Sequence, residues 1–223
     1  MNNKAPDILN EVVEALKTAN LTAVKDDDEG RVNSKKDEAN VIDWLKLQPQ
    51  FKDRIKSVGL RGFGDAVFID DFGVDHYVNI KTSKGSYDNA FSKLGFLWAF
   101  TDLPFEKMPY RINIKTWISR LIENKKETER DYWFLSLNKD NMNQVMVRGV
   151  KQIQNWHCNP TNNLQIIWKK EHESPLKDFS FEESWQNVII NGVFYCWEKQ
   201  VQQMQQGIQY RKKYNVALTQ QPA

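Results

Sequence analysis

Three side chains within one twenty-residue stretch, GDAVFIDDFGVDHYVNIKTS (Gly64–Ser83), carry the chemistry of a cation site. Asp65 is an acid, Asn79 brings an amide oxygen and Lys81 an ammonium. The two oxygen donors are hard ligands of the kind a divalent cation takes. Lys81 sets a positive charge beside them.

The elements that must gather these groups follow from the same stretch. Ala66-Val67-Phe68-Ile69 is an apolar run, Asp70-Asp71-Phe72-Gly73 has turn chemistry, and a strand resumes from Tyr77 to Thr82. With the turn centred on Phe72, Asp65 and Asn79 oppose each other, and opposed side chains share a face at roughly 5 Å. Lys81 joins that face because side chains alternate along a strand. His76 falls off it and reads as a surface histidine. Asp88 to Thr101 reads as a helix crossing back over the sheet, with Phe91, Leu94, Leu97 and Trp98 as its core stripe.

Asp65, followed fourteen residues later by Asn79-Ile80-Lys81, resembles the PD-(D/E)XK nuclease core best known from type II restriction endonucleases. Gly64 stands where that pattern has proline, and Asn79 where it has a second acid, which removes one negative charge. The resemblance implies an α/β (α+β) fold: a restriction-endonuclease-like core with a mixed central β-sheet flanked by helices. It implies Mg²⁺-dependent hydrolysis of double-stranded DNA to 5′-phosphates, with Asp65, Asn79 and Lys81 as the catalytic residues. Metal ligands would come from Asp65, the Asn79 side-chain oxygen, the Ile80 backbone carbonyl and Glu38, an acid on the preceding helix. Glu38 has a second reading, as a first-turn acid facing the helix dipole. A palindromic target is two-fold symmetric, which implies a homodimer.

Two groups of residues suit DNA contact. Lys84, Ser86 and Asn89 follow the hairpin, where side chains and helix-terminal amides can meet phosphates. Between Asn141 and Asn163 carboxamides dominate (Asn141, Asn143, Gln144, Gln152, Gln154, Asn155, Asn159, Asn162, Asn163), with Arg148 the only arginine. Asn and Gln pair bidentately with adenine in the major groove, so this segment points to an A·T-rich site. Asn-rich turns and codon bias account for the same composition.

The flanks read simply. Asp7 can cap a helix burying Ile8, Leu9, Val12, Val13 and Leu16, and Lys25 to Lys36 reads as an exposed loop. A helix from Asp37 to Leu47 turns Val41, Ile42, Trp44 and Leu45 inward. Further strands are expected at 110–114, 131–137, 145–150 and 164–169, a short helix at 116–124, and a long helix at 181–206. That last helix has more apolar residues than one stripe requires, enough to meet a second subunit. The basic run Arg211-Lys212-Lys213 beyond it can touch phosphate.

With 223 residues, 40% hydrophobic, 12% aromatic and a net charge of +2, the chain reads as one folded domain. Within it, about 37–138 forms the catalytic core, 139–172 the recognition strands and loops, and 180–206 a helix available for dimer contact. Two cysteines, Cys158 and Cys196, are too few for a disulfide framework, which suits the reducing cytoplasm of a prokaryotic cell. No signal peptide or apolar run long enough to span a membrane stands out. Trp156-His157-Cys158 lacks partners at zinc-ligand spacing, and no phosphate loop, Ser-His-Asp order or cysteine nucleophile pattern is found. Besides the restriction enzyme, the readings left are a structure-specific repair nuclease, a DNA-binding protein with an inactive nuclease-like core, and an interaction protein without DNA.

Overall fold

The computed structural model describes residues 4–24, 30–58, 63–84, 87–89, 92–108, 112–159 and 163–213. Helix α1 (Asp7–Lys17) buries Ile8, Leu9, Val12, Val13 and Leu16, the stripe its periodicity predicts. Pro6, not Asp7, holds its N-cap position, and Asp7 is the first-turn acid.

Helix α2 (Gly30–Leu47) corrects the expected loop and the expected start at Asp37 together. Residues 25–29 of that loop lie outside the described residues. The buried stripe of α2 recurs every four residues as Asn33, Asp37, Val41 and Leu45. Its first half is polar, so hydrophobic periodicity cannot reveal it. Asp37 is 1% exposed, its Oδ1 accepts from the Val24 N–H at 2.7 Å, and its Oδ2 lies 3.1 Å from Lys139 Nζ. Charge pairing replaces apolar burial as the reason for this turn of helix.

Strands β1 (Ile55–Ser57), β2 (Ala66–Ile69), β3 (Asp75–Ser83), β4 (Tyr87–Asn89), β5 (Trp133–Asn138), β6 (Asn141–Gly149), β7 (Trp156–Asn159) and β8 (Asn163–Ile167) make two sheets. The central one has five strands in the order β1-β2-β3-β5-β6, and only β3 and β5 run parallel. A parallel pair needs a crossover, and here it carries α3 (Lys93–Phe100) and α4 (Ile114–Glu123). The smaller antiparallel sheet has the order β4-β8-β7. The result is a mixed α/β molecule with helices flanking a mixed sheet.

Several expected boundaries move for local reasons. The helix expected over 88–101 starts only at Lys93, because residues 87–89 pair with β8 and Ser92 Oγ caps the helix by accepting from Gly95 N–H. In place of the strand expected over 110–114, α4 begins at Ile114, capped by Asn113, and residues 109–111 lie outside the described residues. The strand expected over 164–169 ends at Ile167, where α5 (Trp168–Glu173) begins. The C-terminal helix runs on without a break as α6 (Phe181–Ser184), a π-helical stretch (Trp185–Phe194) and α7 (Tyr195–Lys213).

The sheet separates two cores. Ala66, Phe68, Val78, Ile80, Leu135 and Leu137 face α1 and α2. Val67, Tyr77, Phe134 and Met146 face α3, α4, β8 and the π-helical stretch. Asn79, Lys81 and Ser136 alternate onto the second face. Among the described residues, no helix is long and apolar enough to cross a membrane.

Candidate active site

The hairpin register is Ala66 with Val78, Val67 with Tyr77, Phe68 with His76 and Ile69 with Asp75. The ladder ends at Ala66, and Asp65, in the bend just before it, is tied to Val78 and Ile80 of β3. The turn forms because Asp70 Oδ1 accepts from the N–H groups of Phe72 and Val74 at 2.9 Å, and Gly73 takes φ +77°. His76 is not a free surface histidine: its Nε2 lies 3.0 Å from Asp70 Oδ2, and both side chains are 16% exposed.

Gly64 has a steric reason. A Cβ there would sit 2.6 Å from the Val78 carbonyl oxygen, so only glycine lets the chain press Asp65 onto β3. Asp65 N–H then donates to Val78 O at 2.8 Å, while its Oδ2 accepts from Ile80 N–H at 2.7 Å. Ile80 itself is fully buried. Burial raises the Asp65 pKa above its ordinary value, against the opposing pull of the Lys81 charge and the Ile80 N–H.

Asn79 donates from Nδ2 to the Tyr132 hydroxyl at 2.9 Å. Its Oδ1 is buried and accepts no hydrogen bond. Tyr132 is fully buried because α3 carries Gly95 against its ring, where a Cβ would approach within 2.6 Å. Burial, with the Asp65 charge, pushes the Tyr132 pKa up, so the phenol stays protonated. The sequence reading missed Tyr132. Its signal lay in parity: Tyr132, Phe134 and Ser136 alternate onto the Asn79 face, but the apolar run DYWFLSL hid the alternation.

Lys81 Nζ lies 3.6 Å from Glu38 Oε1, with side chains 15% and 16% exposed. Glu38 stands in the third turn of α2, eight residues past Gly30, so the helix-dipole account of it does not hold. Asp65, Asn79, Lys81 and Glu38 thus come to one end of the hairpin. Beside Lys81 in the β3–β5 register is Ser136, whose Oγ lies 3.1 Å from His172 Nε2. Burial, then the Arg148 charge, lowers the His172 pKa and keeps that ring neutral. A cleft of about 220 Å³ continues from there, lined by Ser83, Lys84, Asn138, Gln144, Lys169 and His172 among others.

The remaining DNA-contact candidates divide. Lys84 is exposed at the cleft. Ser86 and Asn162, and the side chains of Asn89 and Asn163, lie outside the described residues. Gln152, Gln154 and Asn155 are held by bonds within the fold. Gln152 is 1% exposed and accepts the Gly149 N–H at 2.9 Å. Glu171 Oε1 gathers the Gln154 N–H, the Asn155 N–H and Asn155 Nδ2 at 2.9, 2.6 and 2.9 Å. Gln154 Nε2 donates to the Pro175 carbonyl, and Arg148 Nη2 to the Ser174 carbonyl. Asn141, Asn143 and Gln144 on β6 are exposed.

Among the described residues, no group of three or more His, Cys, Asp or Glu side chains is placed to hold a metal ion. The oxygens that remain are two carboxylates, the unbonded Asn79 Oδ1 and the Ile80 carbonyl. That donor set fits Mg²⁺, which demands few protein ligands, and does not fit structural zinc. No protein-family model, curated protein or solved structure matches the chain. The fold and this site define a mixed α/β protein with a polar, partly open carboxylate–amide–lysine cluster at one end of a β-hairpin.

Proposed function

We propose that the chain is a Mg²⁺-dependent endonuclease of the type II restriction class with a PD-(D/E)XK-like core. Its substrate is double-stranded DNA at a palindromic, A·T-rich site, and it acts as a homodimer. The observation that carries this reading is the convergence of Asp65, Asn79 and Lys81 at one end of the hairpin, with an amide oxygen left unbonded beside an acid and an ammonium. Asp65, Asn79 Oδ1, the Ile80 carbonyl and Glu38 are the residues that would hold the ion. When bound, Mg²⁺ neutralises phosphate charge and lowers the pKa of a bound water.

The chain's own groups do the rest. Lys81 orients the attacking water and stabilises the charge that builds on the phosphate. Water loses a proton to solvent as its oxygen bonds to phosphorus, the bond to the 3′ oxygen breaks, and that oxygen leaves with a proton from solvent. The products are a 5′-phosphate and a 3′-hydroxyl. Glu38, 3.6 Å from Lys81 Nζ, aims the ammonium.

Incubating supercoiled and long linear DNA with Mg²⁺ tests the reading. The expected result is a set of discrete fragments sharing one end sequence. Cleavage at branched structures alone would favour the repair nuclease. Duplex binding without any nicking would favour an inactive core, the reading that Asn79 in place of an acid supports. No duplex binding at low salt would overturn the DNA assignment.

A further inference from the structure

We infer that the C-terminal half of α7 docks antiparallel against the same helix of a second copy of this chain. The last thirteen residues of this helix, 201–213, are exposed throughout. Val201, Met204 and Ile208 are 46%, 62% and 56% exposed. They continue, at spacings of four, three and four, from Trp197, which packs on the body of the protein. That is the seam of a two-helix coiled coil, with β-branched residues and methionine alternating.

Gly207 is an independent sign. A Cβ there meets nothing within 4 Å, so no packing among the described residues requires glycine. Mid-helix glycine costs about 1 kcal/mol against alanine. A second helix lying close along this flank of the seam supplies the reason the single chain lacks.

Charge chooses the direction. Glu198 opens α7 and Arg211, Lys212 and Lys213 close it. Parallel pairing would stack the two basic ends on each other. Antiparallel pairing sets Met204 of one copy against Ile208 of the other, and Glu198 near the other copy's Lys212. The contact is about 20 Å long at about 1.5 Å per residue, short for an obligate interface, so the dimer dissociates on dilution. It gives a surface to the two-fold dimer of the proposed function but stands on the helix alone.

Sedimentation velocity across a dilution series tests it, with circular dichroism and thermal unfolding checking the fold. Wild type should sediment as a concentration-dependent dimer. Met204→Asp with Ile208→Asp should raise Kd at least about tenfold with unchanged unfolding. Gly207→Leu should strengthen the isolated helix yet weaken the dimer at least about tenfold, since leucine favours helix and fills the contact. Glu198→Lys should weaken it, and adding Lys212→Glu should restore it. A wild type monomeric at every concentration overturns the inference, as does a dimer indifferent to both the aspartate pair and Gly207→Leu. Indifference to the charge swap overturns the antiparallel direction. Because the readout is mass, an inactive chain that dimerises in this way refutes only the hydrolase reading.

Discussion

The hairpin end around Asp65 and the enclosed turn around Glu171 use the same residue types to opposite ends. Glu171 is 0% exposed, and three N–H donors meet one of its oxygens. Its other oxygen is unbonded but sealed inside the core. At the hairpin, Asp65 accepts a single backbone N–H and Asn79 Oδ1, itself buried, accepts none, but both residues keep part of their surface exposed. The lesson is that acids and amides mark a candidate ligand site where few donors meet them in partly exposed residues. Where donors converge on a closed carboxylate, the same residues are structural.

The sharpest way to break this contrast is at the hairpin. Lys81→Ala and Asp65→Ala should each lower DNA cleavage at least about a thousandfold while duplex binding persists. Wild-type rates from either would end it. Asp65→Asn adds a stability readout. Burial raises the Asp65 pKa in the fold, so its charged form opposes folding above that value, and the neutral amide should unfold no earlier than wild type at neutral pH.

The second test falls on the enclosed side. Glu171→Ala strands three donors and the Arg148 charge, so urea unfolding should show a loss of about 3–5 kcal/mol. A tolerated substitution would show that the closed network is not structural. Asp131 sharpens the same point through pH. It is 5% exposed, and burial raises its pKa from 3.8 to about 6 against the pull of Lys151. A raised pKa stabilises the fold below the unfolded value, and that contribution is lost as pH rises through the folded one. Stability should therefore fall between pH 3.8 and about 6 by on the order of 3 kcal/mol, at about 1.4 kcal/mol per tenfold change in proton affinity. Asp131→Asn should flatten that slope. The smallest effect is at Gln152: its replacement by alanine leaves the Gly149 N–H unpaired, for about 1–3 kcal/mol in unfolding with DNA affinity unchanged. A selective loss of affinity would restore Gln152 to the recognition surface.

Much of this was legible beforehand, and for identifiable reasons. Turn chemistry at Asp70 to Gly73 set the hairpin register, and with it the approach of Asp65 to β3. Apolar periodicity located α1 and most of the C-terminal helix. The first half of α2 was hidden because its inward stripe is Asn33 and Asp37, held by hydrogen bonding and charge. The inward turn of Gln152 and Asn155 was equally hidden, since an amide that reads a base and one that braces a turn are the same residue in sequence.

By itself, then, the order of amino acids determined which residues lie on one side of each strand and which turns close them, because both depend on neighbours a few positions away. Only the tertiary structure decided that Glu38 meets Lys81, that Tyr132 holds the Asn79 amide, and that Glu171 closes on the carboxamide segment. Those pairings span from 16 to 53 residues, and they form only once the sheet and its covering helices have brought distant segments together.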